Sequence, residues 1–257
     1  MSLQVSQVQP RHLLFYELPI SLKALYTMML VVLGFGYLFA LIQVYEVHAG
    51  RDGNVGLSVE DIRVAYNGSQ ADTRLEVAIK GPMSRMISEE QRTAVIAWVR
   101  DGASEQGYAS DIKPIIKARC LACHNGSNPH VAKLTDYESV KELAHLDTGA
   151  SIGTLVRVSH IHLMGLTFVF GFMGIIFSHA YMKRRYLKTV IIIIPFLAIL
   201  MDIASWWLTK VSSGFAYVVM IGGALMALSF ALQWIVSMYQ MWFFKQCPVD
   251  ADECAPY

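Results

Sequence analysis

Four apolar stretches, each long enough to cross a bilayer, constrain this chain more than any other feature. A membrane-spanning helix needs about 20 consecutive apolar residues, and residues 24–44, 161–181, 190–208 and 215–244 all qualify. The first is interrupted only by Gln43, near its end. The fourth is longer than one crossing requires, so its end leaves the hydrocarbon or the helix tilts. Charged residues make up 16% of the 257-residue chain, below the roughly 25% of a soluble domain. Most acidic residues fall between Glu46 and Asp147, which marks a polar domain inserted between spans one and two. The net charge of +1 gives no polyanion footprint, and nucleic acid is not an expected partner.

Basic residues set the expected orientation. Lys183, Arg184, Arg185 and Lys188 cluster between spans two and three, which places that turn in the cytoplasm. Arg11, Lys23 and Lys245 agree. Both termini are then cytoplasmic and the polar domain lies on the far side. The expected layout is an N-terminal segment 1–23, a first span 24–46, a far-side domain 47–155, three helices within 156–245 (157–182, 188–209 and 214–244) and a tail 246–257. No cleavable leader is expected, because no small-residue cleavage site follows the first apolar run. Trp206 and Trp207 fall at the far interface, where aromatic belts occur. Within the polar domain the pattern predicts helices over 60–66, 88–100, 110–118 and 137–143. Ser88 and Gln91 fit a capping box, and Gly102 reads as the stop of that helix.

One motif carries chemistry. Cys120-Leu121-Ala122-Cys123-His124 is the C-x-x-C-H signature of covalent haem attachment. Two thiols add across the two vinyl groups, and the next residue presents an imidazole to the iron. Two other readings fit a Cys pair. A zinc half-site wants two more ligands at motif spacing, and no second C-x-x-C exists in the sequence. A thioredoxin-like pair wants a βαβ context, which the pattern lacks. The far-side placement adds support, since bacteria attach such haem outside the cytoplasm.

The flanks resemble the bacterial cytochrome c family. The run from Asp111 through Pro114 to Cys120 looks like the amphipathic helix that leads into the haem motif there. The stretch from Ser88 through Trp98 to Ala103 resembles that family's last helix, which here precedes the motif. The resemblance covers roughly residues 57–147 in circularly permuted order. It implies a sixth iron ligand just before the relocated helix, where Gly81-Pro82-Met83 stands, with Met86 close behind. The residue pattern also leaves His130, His145, His160 and His162 as alternative ligands, and leaves Met83 and Met86 as space-fillers.

Ionisable groups inside spans are rare and tend to be functional. His48, Arg157, His160, His162 and Asp202 all fall within about two helical turns of the far interface. Together they could bind a quinol, with His162 and Asp202 as proton acceptor and hydrogen-bond partner. A b-type haem between His48 and His160 or His162, a bare metal site, or simple anchoring of helix ends are the other readings. His179, near the cytoplasmic end of span two, is expected to bond Ser178 or lipid headgroups. Cys247 and Cys254 are expected to be reduced tail residues.

The expectation is an all-α membrane protein. Four transmembrane helices carry a small helical cytochrome c-like domain in the periplasm of a bacterial inner membrane. Its expected role is electron transfer through one haem c, as a subunit or redox partner of a respiratory or oxidative electron-transfer complex. A quinol-oxidising cytochrome and a membrane anchor of a larger complex are the alternatives.

Overall fold

The computed structural model describes residues 13–69, 71–129 and 131–244. Among these the chain is helical. The one bridge outside named strands pairs Thr73 with Leu146. The chain divides into two compact units. The first combines residues up to Phe39 with Ser159–Ile203 and the chain from Ile221; the second combines Ala40–Val158 with Ala204–Met220.

The first unit holds most of the four long helices, α1 (Ile20–His48), α8 (Ile152–Ser178), α9 (Arg185–Thr209) and α10 (Ala216–Phe243). All four are apolar enough to cross a membrane, with mean hydropathy between 1.9 and 2.3. α1 and α9 extend beyond the expected runs at both ends, where polar residues such as His48 continue the helix; α8 starts earlier and ends at Ser178, and α10 falls within its expected run. Phe170, Met173 and Phe177 of α8 are buried, as are Phe230, Gln233, Ser237 and Met241 of α10. Each set recurs every three or four residues and so forms one stripe. Tyr37 of α1 stacks on Phe230 with ring centroids 4.1 Å apart.

Lipid offers no hydrogen bonds, so every backbone group in this unit needs an internal partner. Pro195 lies inside α9 and has no N–H, which leaves the Ile191 carbonyl without its donor. Gln233 of α10 supplies the replacement, its Nε2 donating to Ile191 O at 3.0 Å. Trp234 Nε1 donates to Leu30 O at 2.8 Å. Gly34 makes room for that indole: a Cβ there would stand 3.1 Å from Trp234 Nε1. Gln240 and Tyr181 exchange two bonds, Nε2 to O at 3.0 Å and N to Oε1 at 2.6 Å.

The second unit is built of short helices: α2 (Val59–Asn67), α3 (Arg74–Lys80), α4 (Glu89–Arg100), α5 (Glu105–Gly107), α6 (Lys113–Arg119) and α7 (Tyr137–Lys141). The helices expected at 60–66, 88–100, 110–118 and 137–143 are present with small shifts at their ends, while α3 was not expected. The box expected at Ser88 forms, with Gln91 N donating to Ser88 Oγ and Ser88 N to Gln91 Oε1, both at 3.3 Å. Thr73 and Glu76 do the same for α3. Gly102 stops α4 with a positive φ of 86°. Leu75 and Ile79 of α3, Val95 and Val99 of α4, and Ile112 and Ile116 before the Cys motif share one core with Leu134 and Val140.

The two ends of this polar segment run side by side. A Cβ at Gly68 would overlap the Asp147 carbonyl, and one at Gly149 would overlap that of Tyr66. Lys210 Nζ closes the crossing by donating to Tyr66 O, Thr148 O and Ala150 O at 3.0, 2.9 and 2.7 Å.

Candidate functional site

The Cys motif ends a helical run that changes pitch on the way. α5 passes into a π turn at Tyr108–Ile112, then into α6. Pro114 stands in the first turn of α6. It cannot donate backward, and the wider π turn lies where the regular ladder would already fail. Lys113 N closes the turn on Tyr108 O. Ile112 and Ile116 are buried, and Cys120 follows four residues later on the same face. Cys120 therefore lies half-buried against the core, and that burial raises its thiol above the ordinary cysteine range. Cys123 is exposed, and both thiols are free.

Helical bonding continues through the motif. Cys120 N donates to Ile116 O at 2.9 Å, and His124 N donates to Cys120 O at 2.9 Å. Cys120 and His124 are thus one turn apart on one side of the chain. His124 Nδ1 lies 2.7 Å from the Ala132 carbonyl oxygen. A carbonyl only accepts, so Nδ1 carries the proton and the free lone pair is on Nε2. The next loop is tied to the same residue, Leu134 N donating to His124 O at 3.0 Å. An imidazole oriented through Nδ1 by a backbone carbonyl is the usual arrangement for a metal-ligating histidine. Two free thiols and an oriented Nε2 on one turn therefore fit a covalently held haem.

Met83 caps a 3-10 turn at Ser84–Met86, its N–H donating to Ala78 O at 2.8 Å. Met83 is 39% exposed and Met86 62% exposed, so neither is buried in the core of the unit. The helices on either side of them, α3 and α4, pack on the same core as Ile116 and Cys120. His145 is exposed and accepts from Arg74 N through its carbonyl, while His130 lies outside the described residues.

Of the polar residues expected near one end of the spans, His160, His162 and Asp202 belong to the first unit. His160 and His162 are both exposed on α8 and point about 160° apart around it. Asp202 is buried in the first unit, where Gly222 leaves it room: a Cβ there would stand 2.9 Å from Asp202 Cβ. His48 belongs to the second unit. There its ring lies 6.2 Å from that of Tyr66, which stacks on Trp206 at 5.8 Å. Trp206 is therefore packed against an aromatic neighbour and buried. Among the described residues, no group of three or more His, Cys, Asp and Glu side chains could hold a metal ion.

The expectation for His179 is corrected. Its Nδ1 donates to Leu13 O at 2.7 Å, and its ring packs near Phe15 and Tyr26. Ser178 instead donates to Ile175 O. The segment before span one, whose fold hydropathy does not reveal, supplies Leu13 and Phe15, and α1 itself supplies Tyr26. Asp61 was not singled out in the sequence, yet it is fully buried and accepts from Asp52 N and Ser58 N at 2.9 and 2.8 Å. Its signal was readable as Ser58-x-x-Asp61, an N-terminal box with Asp in place of Glu.

Residues 136–248 match a family model described as a transmembrane helical domain. The match begins after the Cys motif and covers spans two to four. No curated protein matches the chain, and no solved structure matches it. The four apolar helices and this match make the chain a multi-pass membrane protein.

Proposed function

We propose that this protein is a membrane-bound c-type cytochrome that transfers electrons through one haem held by Cys120, Cys123 and His124. The observation that carries the reading is the His124 imidazole, fixed by the Ala132 carbonyl at 2.7 Å, on the same turn as two free thiols. A bound haem supplies a one-electron Fe(III)/Fe(II) couple. Cys120, seated against the core, anchors one side of it and excludes water there. Cys123, exposed, leaves the other side open to a redox partner. The Ala132 carbonyl holds the Nδ1 proton of His124, which makes Nε2 the better electron donor to the metal. Met83 is the proposed sixth ligand; a thioether there raises the potential relative to a second imidazole. The basic cluster at Lys183, Arg184, Arg185 and Lys188 supports a periplasmic haem domain with cytoplasmic termini in a bacterial inner membrane.

The deciding measurement is a pyridine haemochrome spectrum together with haem staining of the denatured band. One c-type haem per chain is expected. A band without stain, from cells competent in cytochrome c maturation, would remove the proposal. Substitution Met83→Ala tests the sixth ligand. It is expected to convert the low-spin spectrum and lower the potential, and an unchanged spectrum and potential would release Met83 from that role.

A further inference from the structure

We propose that the far end of span one forms a binding site for the phosphodiester headgroup of an anionic lipid. A cavity of about 270 Å³ opens there. One wall is the last turn of α1, with Tyr45 and Glu46, and Ala49 just after it; the other is the turn after α3 together with Arg92 of α4. Helix α1 has 29 residues and so is about 43 Å long, against about 30 Å of hydrocarbon. Its last turn therefore reaches headgroup depth, and a cavity walled by that turn opens where lipid phosphates lie.

The charge of the lining suits an anion. Lys80, Arg85 and Arg92 face it, against the single carboxylate of Glu46. Two of these cations are held by partners outside the cavity lining: Lys80 Nζ by Asp72 at 2.7 Å, and Arg92 by Glu89. Arg85 differs. It meets Glu46 at 3.7 Å, with side chains 75% and 58% exposed, the geometry of a weak surface pair. An incoming phosphate can take Arg85 from Glu46 and lie between it and Arg92, where a bidentate guanidinium suits its oxygens. The floor is backbone. Gly81 lies so close to Gly50 O and the Arg51 Cα that a Cβ would stand 3.0 Å from each. The absence of side chains at Gly50 and Gly81 leaves the volume open.

The test titrates the full-length protein in non-ionic detergent with short-chain phosphatidylglycerol, short-chain phosphatidylcholine and inorganic phosphate, followed by calorimetry. Phosphatidylglycerol is expected to saturate one site and to bind more tightly than phosphatidylcholine. Arg85→Gln and Arg92→Gln are each expected to weaken it about 5-fold, the loss for one basic residue near an anionic surface. Glu46→Gln is expected to tighten it, and this variant keeps the site testable should an arginine variant fold poorly. Equal binding of the two lipids, or an Arg85→Gln/Arg92→Gln double variant that binds as wild type does, would overturn the site. Inorganic phosphate that displaces the lipid at equal concentration would overturn the lipid source and assign the cavity to a soluble phosphate.

Discussion

In the bundle of long helices, Gln233, Trp234 and Gln240 reach across to carbonyls of neighbouring segments, at Ile191, Leu30 and Tyr181. In the second unit, Ser58, Thr73, Ser88 and Asp136 turn back on the first turns of their own helices. The two patterns follow from solvent. A helix end in water can fray at little cost, so a local cap suffices to fix where it starts. A carbonyl inside a bilayer has no water to accept, so a broken ladder must be repaired by another helix. The same difference places the candidate chemistry. The Cys motif sits on a short capped unit, where His124 can be tied to a loop carbonyl without disturbing any span.

The largest expected effect separates the motif from its scaffold. If the proposed haem is present, Cys123→Ser and His124→Ala are expected to change it and leave the fold. Cys123 is exposed and outside the core, so the far-ultraviolet spectrum should stay as in wild type. Haem staining should fall sharply for Cys123→Ser, and the low-spin spectrum should be lost for His124→Ala. Loss of helix in step with loss of stain would mean that motif and scaffold are one structure.

A smaller effect tests the crossing of the polar segment. Lys210→Met removes three charge-assisted bonds to the carbonyls of Tyr66, Thr148 and Ala150. A hydrogen bond to a charged group contributes about 1.5–3 kcal/mol, and these three share one ammonium, so a loss of about 3 kcal/mol is expected. Faster proteolysis between residues 66 and 72 should report it. Cleavage at the wild-type rate would show that the paired glycines alone hold the crossing.

Glu76 gives the pH dependence of the second unit. Burial alone would raise its carboxyl. The Thr73 N–H, the Arg100 guanidinium, the Thr73 hydroxyl and Lys80 outweigh that and hold it below the ordinary carboxylate range. The folded value is depressed, so the stabilisation is fully present above the unfolded value of about 4.3. It is lost as pH falls through the folded value. Thermal unfolding followed by circular dichroism should therefore show a midpoint that drops below about pH 4. In Glu76→Gln the stability at neutral pH should be lower by roughly 1.5–3 kcal/mol, and the acid drop should be smaller. An acid limb as steep as that of wild type would assign it to other carboxylates.

The spans were legible because hydropathy over twenty residues averages out local detail. The Cys motif stands out in the sequence because the chemistry proposed for it fixes residue type and spacing together. Helix α3 was missed because seven residues carry too little periodicity, although its Thr73-x-x-Glu76 box was there to read. The surroundings of the candidate polar residues were hidden for a different reason. Depth along a helix follows from residue number, but azimuth is decided by packing, and packing turns Asp202 toward Gly222 and leaves His160 and His162 exposed on different faces. The role of Gln233 was hidden because it depends on Pro195, thirty-eight positions away and in another helix.

That pair supplies the most delicate test of how the bundle differs from the capped unit. Gln233→Leu leaves the Ile191 carbonyl without a donor, and membrane hydrogen bonds of this kind average about 0.6 kcal/mol, with a maximum near 1.7. Pro195→Ala restores a backbone N–H that can donate to the same carbonyl. If Gln233 serves only to repair the break at Pro195, its loss in the Pro195→Ala background should cost almost nothing. The coupling in a double-mutant cycle should then equal most of the single effect of Gln233→Leu. Additive losses would mean that the amide is held for its own packing in the bundle, and that the carbonyl at Ile191 tolerates isolation. The cycle reads one bond between two helices, so it decides whether the cross-helix bonds of the bundle are repairs or merely contacts.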